Sequence, residues 1–273
     1  MKTKTLPKLA ALVAGSFCLL CATPASADST WSLSGSGCSS PTGVPANSGY
    51  TSGNIGCTNG GITATIGAWA NTNSSKFAQT KLYNWGSNGF GIVSGTEVSG
   101  DTGPHAADNY GNLEGFLIQL SGSMSLSQIV IGWDGNDDPA NTGGVSYNDA
   151  DISIYRWDGG VGNSPTFGNE TAASLNTNSW KLVNHLQNGG NNPAGPGTDT
   201  INLSGTGSST WWFVSAYNSN ANSVKAGYTG DTNVDAFKLI SIGGKTPGVP
   251  EPGTLALAGL ALFGIARSRR AAR

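Results

Sequence analysis

The sequence predicts an all-β body, an antiparallel sandwich or jelly roll, set between two short apolar ends. Three observations predict it. Several windows alternate apolar and polar residues with period two, Gly- and Asp/Asn-rich turns separate those windows, and no interior stretch sustains a helical apolar period. Eight tryptophans spread through the interior supply apolar area that a disordered Gly/Ser/Asn-rich segment lacks. A β-helix is the competing all-β form, and no repeat of fixed length supports it.

The amino end carries Lys2, Lys4 and Lys8 with no acid among them, then an apolar run from Leu9 to Ala22. Ala25 and Ala27 follow as an A-x-A site, which completes a secretory signal peptide over residues 1–27, cleaved by signal peptidase after Ala27. The run is shorter than the roughly 20 residues of a comfortable bilayer span, so a retained anchor is the weaker alternative. Cys18 and Cys21 follow Phe17 and Leu20 rather than the small residue of a lipoprotein site, and read as apolar filler.

Residues 28–246 form the expected ectodomain. Within its first part, residues 28–60, Cys38 and Cys57 remain after signal removal, and an even pair in an exported chain reads as a disulfide. Free thiols or a metal pair are the alternatives, and no histidine stands nearby. Strands are expected where Ile62, Ala64, Ile66 and Ala68 alternate with polar or small residues, and at Leu113 to Leu120, Leu126 to Trp133 and Asp151 to Trp157. Trp180 to Leu186, Trp211 to Tyr217 and Val234 to Ile242 continue the series. Turns are expected at Asp134-Gly-Asn136, Asp158-Gly-Gly160, Asn188-Gly-Gly190 and Gly243-Gly244.

Between Asp28 and Pro250 stand seven basic and fifteen acidic residues, a net of about −8 hidden in the whole-chain −2 because the other basic residues sit at the two ends. An acidic body argues against nucleic acid and anionic lipid partners, and suits neutral sugars or cations. Only 11% of residues are charged, so solubility rests on hydroxyls and amides.

Nucleophilic chemistry has little material here. His105 and His185 are the two histidines, each reading as a packing or turn residue, and no G-x-S-x-G elbow occurs. A glycosidase-type carboxylate pair carries no signal of its own among fifteen acids. Asp134, Asn136, Asp137 and Asp138, with Asp149 beyond an insert, offer oxygen ligands suited to Ca2+. Their spacing is not that of an EF-hand, and a solvated turn requires the same residues. Tryptophans are candidate sugar-stacking faces: Trp133 and Trp157 end strands and are expected half exposed, and adjacent Trp211 and Trp212 point to opposite faces.

At the far end, Val249-Pro250-Glu251-Pro252 precedes a short Gly/Ala/Leu-rich run, and Arg267, Arg269, Arg270 and Arg273 close it as a stop signal held on the cytoplasmic side. The run is short for a permanent anchor and better suited to holding a cleavage motif at the membrane surface. An ordinary tail anchor behind a Pro-rich linker is the alternative. This ordered set closely resembles the PEP-CTERM tag read by exosortases, which implies export, transient inner-membrane anchoring through residues 247–273 and processing by a membrane-embedded cysteine transpeptidase. The resemblance widens to an exosortase-dependent surface protein family over roughly residues 100–266. Its segments here are His105-Ala-Ala-Asp-Asn-Tyr-Gly-Asn112, Ile131-Gly-Trp-Asp-Gly-Asn-Asp137, Asp151-Ile-Ser-Ile-Tyr155, Trp180-Lys-Leu-Val183, Trp212-Phe-Val-Ser-Ala-Tyr-Asn218 and Asp235-Ala-Phe-Lys-Leu-Ile-Ser-Ile242, with an insert between Asp138 and Asp149. That family implies a surface location and no particular chemistry. The sequence is therefore read as a non-catalytic surface or matrix protein serving adhesion or exopolysaccharide and biofilm structure. A carbohydrate-binding module for extracellular polysaccharide comes second, and a secreted glycan-active enzyme third.

Overall fold

The computed structural model describes residues 28–33, 38–39, 50–51, 53–73, 75–95, 105–133, 147–160, 162–186, 198–220, 234–247 and 259–262, with 265, 267 and 269. In chain order its strands begin with β1 (Asp28–Ser32), β2 (Cys38–Ser39), β3 (Tyr50–Thr51), β4 (Ile55–Asn59) and β5 (Ile62–Asn73). Next come β6 (Lys76–Gln79), β7 (Lys81–Asn84), β8 (Phe90–Val93), β9 (Ala107–Asp108) and β10 (Glu114–Trp133). The series closes with β11 (Tyr147–Asp149), β12 (Ile152–Trp157), β13 (Trp180–Leu186), β14 (Asp199–Asn202), β15 (Ser209–Ala216) and β16 (Val234–Lys245).

One long strand organises the body. The first half of β10 lies between β5 and β15, with Phe116 opposite both Ala68 and Val214. Its second half lies between β14 and β16, with Ile129 opposite both Ile201 and Ile242. The register breaks between Gln119 and Met124, where the strand leaves one layer and enters the other. A strand that switches sheets in this way makes the corner of a sandwich. The first layer runs β13-β12-β15-β10-β5, with β4 and β6 on the far side of β5. The second runs β14-β10-β16, then β1 beside one stretch of β16 and β8-β7-β3 beside another. Pairing is antiparallel except where β11 meets β16. The fold is thus the antiparallel all-β sandwich that the sequence pattern predicts.

The two layers close on a mixed aliphatic and aromatic core. Phe116 of β10 faces Phe237 of β16 with ring centroids 5.7 Å apart. Phe167 packs against Phe77, Trp180 and Phe213 at 4.8, 5.3 and 4.7 Å. The period-two pattern in β5 is realised, since Ala64, Ile66 and Ala68 are buried together. Cys38 and Cys57 are bonded and lie directly opposite each other on β2 and β4.

Two expectations are corrected. The windows Leu113 to Leu120 and Leu126 to Trp133 are not two strands but one, β10 from Glu114 onward, because the polar stretch between them continues the extended backbone instead of turning. Gly243 and Gly244 do not end β16 but pair inside it with Thr30 and Ser29. A Cβ at Gly244 would come within 3.3 Å of both the Trp31 ring and Met124, so the bare backbone makes room for that indole.

Asp28–Lys245 make up one compact unit, and the remaining residues a second. In the second unit the described residues 259–262, 265, 267 and 269 are helical, and Leu260 and Leu262 are exposed. Among the described residues no helix is long and apolar enough to cross a membrane.

Candidate functional site

Four chain segments converge on a cleft of about 320 Å³. The end of β5 brings Asn71, the turn between β9 and β10 brings Asn109, Gly111, Asn112 and Leu113, and Ala172 closes one wall. The exit of β15 supplies Tyr217, Asn218, Ser219 and Asn220. Five side-chain amides therefore line the cleft, and among its described lining residues there is no Asp, Glu, Lys or Arg.

Each wall is fixed by hydrogen bonds beneath it. Asn109 Nδ2 donates to Asp235 Oδ2 at 2.7 Å and to the Tyr217 carbonyl at 3.3 Å, while Asn109 Oδ1 accepts from the Asp235 N–H at 3.0 Å. Asp108 Oδ1 accepts from the Tyr110 N–H at 3.0 Å, which closes an Asx turn. Gly111 then adopts φ +75°, a value that glycine reaches without strain. Asn71 and Leu113 pair reciprocally, the Leu113 N–H donating to Asn71 Oδ1 at 2.6 Å and the Asn71 N–H to the Leu113 carbonyl at 3.2 Å. On the opposite wall, Asn218 Nδ2 donates to Tyr155 Oη and to the Ala172 carbonyl, both at 2.8 Å. Burial raises the Tyr155 phenol well above its ordinary range, so it stays neutral beside that amide. The Asn218 N–H donates to Ser153 Oγ, which lies 2.9 Å from His185 Nδ1. Asn218 Oδ1 accepts from the N–H of Asn220 at 3.1 Å.

Two further clefts meet at Asp158. One, of about 230 Å³, includes Arg156, Trp157 and Ser209; the other, of about 300 Å³, includes Asn176, Trp180 and Lys181. Arg156 grips both Asp158 carboxylate oxygens, at 2.6 and 2.8 Å, and donates to the Thr206 carbonyl at 2.6 Å. This fork holds the Asp158 carboxyl below the usual carboxylate range and raises Arg156. The charges are spent on each other and on the backbone.

The residues singled out in the sequence fall elsewhere. His105 and His185 are both buried, His105 with φ +37° beside the Tyr83 ring. Trp157 is buried and not half exposed, because its ring folds back over Gly159. Trp212 is fully buried and Trp211 half-buried. Trp69 and Trp85 are also half-buried, so no row of solvent-facing tryptophans stands among the described side chains. The Lys238 ammonium sits 4.2 Å from the Trp85 ring centroid. Asp134, Asn136, Asp137 and Asp138 lie outside the described residues, as do Ala25, Ala27, Val249, Pro250, Glu251, Pro252, Arg270 and Arg273. Asp149 ends β11 with its side chain undescribed, and Arg267 and Arg269 are helical.

The sequence reading missed the amide cleft. Its signal was present, because two quoted segments, one ending at Asn112 and the other at Asn218, deliver their asparagines to the same place. Asparagine in a loop looks like an ordinary turn former until the loops are brought together.

No curated protein matches the chain by sequence. Among solved structures, the family 32 carbohydrate-binding module of Streptococcus pneumoniae EndoD aligns at 14% identity and a TM-score of 0.25, over 56% of this chain and 90% of that one. A score at that level lends no weight to a shared ligand. The tail is specific by contrast. The family profile for the PEP-CTERM protein-sorting motif matches residues 248–270, so this chain carries that motif and, as the motif implies, is an exported substrate of an exosortase.

Proposed function

We propose that the chain is a non-catalytic component of the cell surface or extracellular matrix, and that its body holds on to polysaccharide around the cell. Residues 1–27 are removed at export. Residues 247–273 hold the protein briefly at the inner membrane until it is processed near Pro250-Glu251-Pro252. The observation that carries this reading is the amide-lined cleft, without charge among its described residues, in an acidic body. A surface of that chemistry suits neutral hydroxylated polymers and repels anionic ones. Burial of both Ser153 and His185 favours a structural role for their hydrogen bond over a nucleophilic one.

The test compares the full chain in cells with and without a working exosortase. Intact mass should place the mature C-terminus near the PEP motif only when exosortase is present, and the protein should then co-purify with extracellular polysaccharide. An arginine tail retained in both strains would refute the processing. A mature protein found free of polysaccharide would refute the matrix role.

A further inference from the structure

We infer that the asparagine cleft is a binding site for an uncharged saccharide, with Tyr110 as its aromatic contact. The inference rests on the matrix reading above and gives it a site and a ligand class. Asn109 and Asn218 are committed to the protein, their hydrogen bonds going to Asp235, Tyr217, Tyr155 and Ala172. The other three amides are anchored at one atom only. Asn71 accepts through Oδ1, while Asn112 donates through Nδ2 to Ser94 Oγ and Asn220 through Nδ2 to Asn218 Oδ1. This leaves one donor group, Asn71 Nδ2, and two acceptors, Asn112 Oδ1 and Asn220 Oδ1, without a hydrogen bond among the described residues.

Donors and acceptors mixed at short range complement vicinal sugar hydroxyls, each of which both donates and accepts. Because one end of every amide is already tied down, little rotamer freedom remains to be lost on binding. Phosphate or uronate would need a cation, and none stands among the described residues that line the cleft. A peptide side chain would need an apolar floor, whereas Leu113 and Ala172 are the aliphatic residues of this lining. Tyr110 adds the aromatic surface that sugar C–H faces favour. It sits between two lining residues, Asn109 and Gly111, and is 58% exposed, the large exposed hydrophobic residue of the Asp28–Lys245 unit among the described residues.

The experiment measures migration of the exported protein, recovered from exosortase-positive cells, through gels containing dextran, galactomannan, xyloglucan, alginate or the producer's own extracellular polysaccharide. At least one neutral polymer should retard it, with little change in high salt or EDTA. Tyr110→Ala and Asn112→Ala should each weaken retention roughly five- to tenfold, and Tyr110→Phe should keep it. Tyr110 is exposed, so its variants should unfold like the parent protein. Retention unchanged in both alanine variants would overturn the site and leave the matrix reading standing. No retention by any of these polymers, the producer's own included, would overturn both. Preference for alginate, or loss of retention in EDTA, would overturn the ligand class and the direct amide contact.

Discussion

Asn109 and Asp235, 126 residues apart in sequence, bind each other through three hydrogen bonds: side chain to side chain at 2.7 Å, Asp235 N–H to Asn109 Oδ1 at 3.0 Å, and Asn109 N–H to the Asp235 carbonyl at 3.3 Å. The second Asp235 oxygen accepts from the Asp151 N–H at 3.1 Å. One fully buried carboxylate thus fastens the cleft turn, the start of β12 and the start of β16.

Removing it should be severe. Asp235→Ala removes the acceptor of the buried Asp151 N–H and the nearer of the two acceptors of the Asn109 amide, at a cost of about 3 kcal/mol or more. Urea unfolding measures this, and a loss under about 1 kcal/mol would contradict the role given to Asp235.

Gly91 of β8 lies against the His105 backbone so closely that a Cβ there would overlap the His105 carbonyl oxygen. Backbone cannot move aside as a side-chain tip can. Gly91→Ala should lower stability by about 2 kcal/mol or more, seen as a reduced thermal midpoint, while Gly61→Ala, in open space but at positive φ, should cost closer to 1.

Asp158 should shape the acid limb of stability. Its carboxyl is held low by the hydrogen bonds of Arg156. A group depressed in the folded state contributes above its unfolded pKa, and that contribution fades as pH falls through the folded value. With its side chain 42% exposed, the contribution at neutral pH is about 0.5 kcal/mol. Asp158→Asn should therefore lose that amount at pH 7 and show a shallower decline toward acid, as followed by denaturation across pH.

The Cys38–Cys57 bond spans a sequence separation of 19, so its loss as Cys38→Ser/Cys57→Ser should cost about 3 kcal/mol. Comparing thermal midpoints with and without reductant tests the same quantity in the parent protein.

Much of the fold was legible because exposed and buried residues alternate on half-buried strands. The expected strand Trp180 to Leu186 matches the observed ends of β13, and three of the four residues named for the inner row of β5, Ala64, Ile66 and Ala68, are buried. Legibility failed where packing set local structure. Gly243 and Gly244 look like a turn until Trp31 lies against them. The polar residues around Gly122 look like a break until β10 is seen to change layers there. The cleft was hidden for another reason. Asn71, Asn112 and Asn220 belong to three distant segments, and nothing in any one of them distinguishes a ligand-facing amide from a turn.

β16 is the last strand among the described residues, yet β1, β8, β9, β10 and β11 all pair with it. A polypeptide threaded amino end first through an export channel delivers that strand after every other. Until Lys245 has emerged, five strands lack their shared neighbour and the sandwich cannot close. Late arrival of β16 therefore leaves these five pairings to form last, just ahead of the sorting motif that follows in sequence.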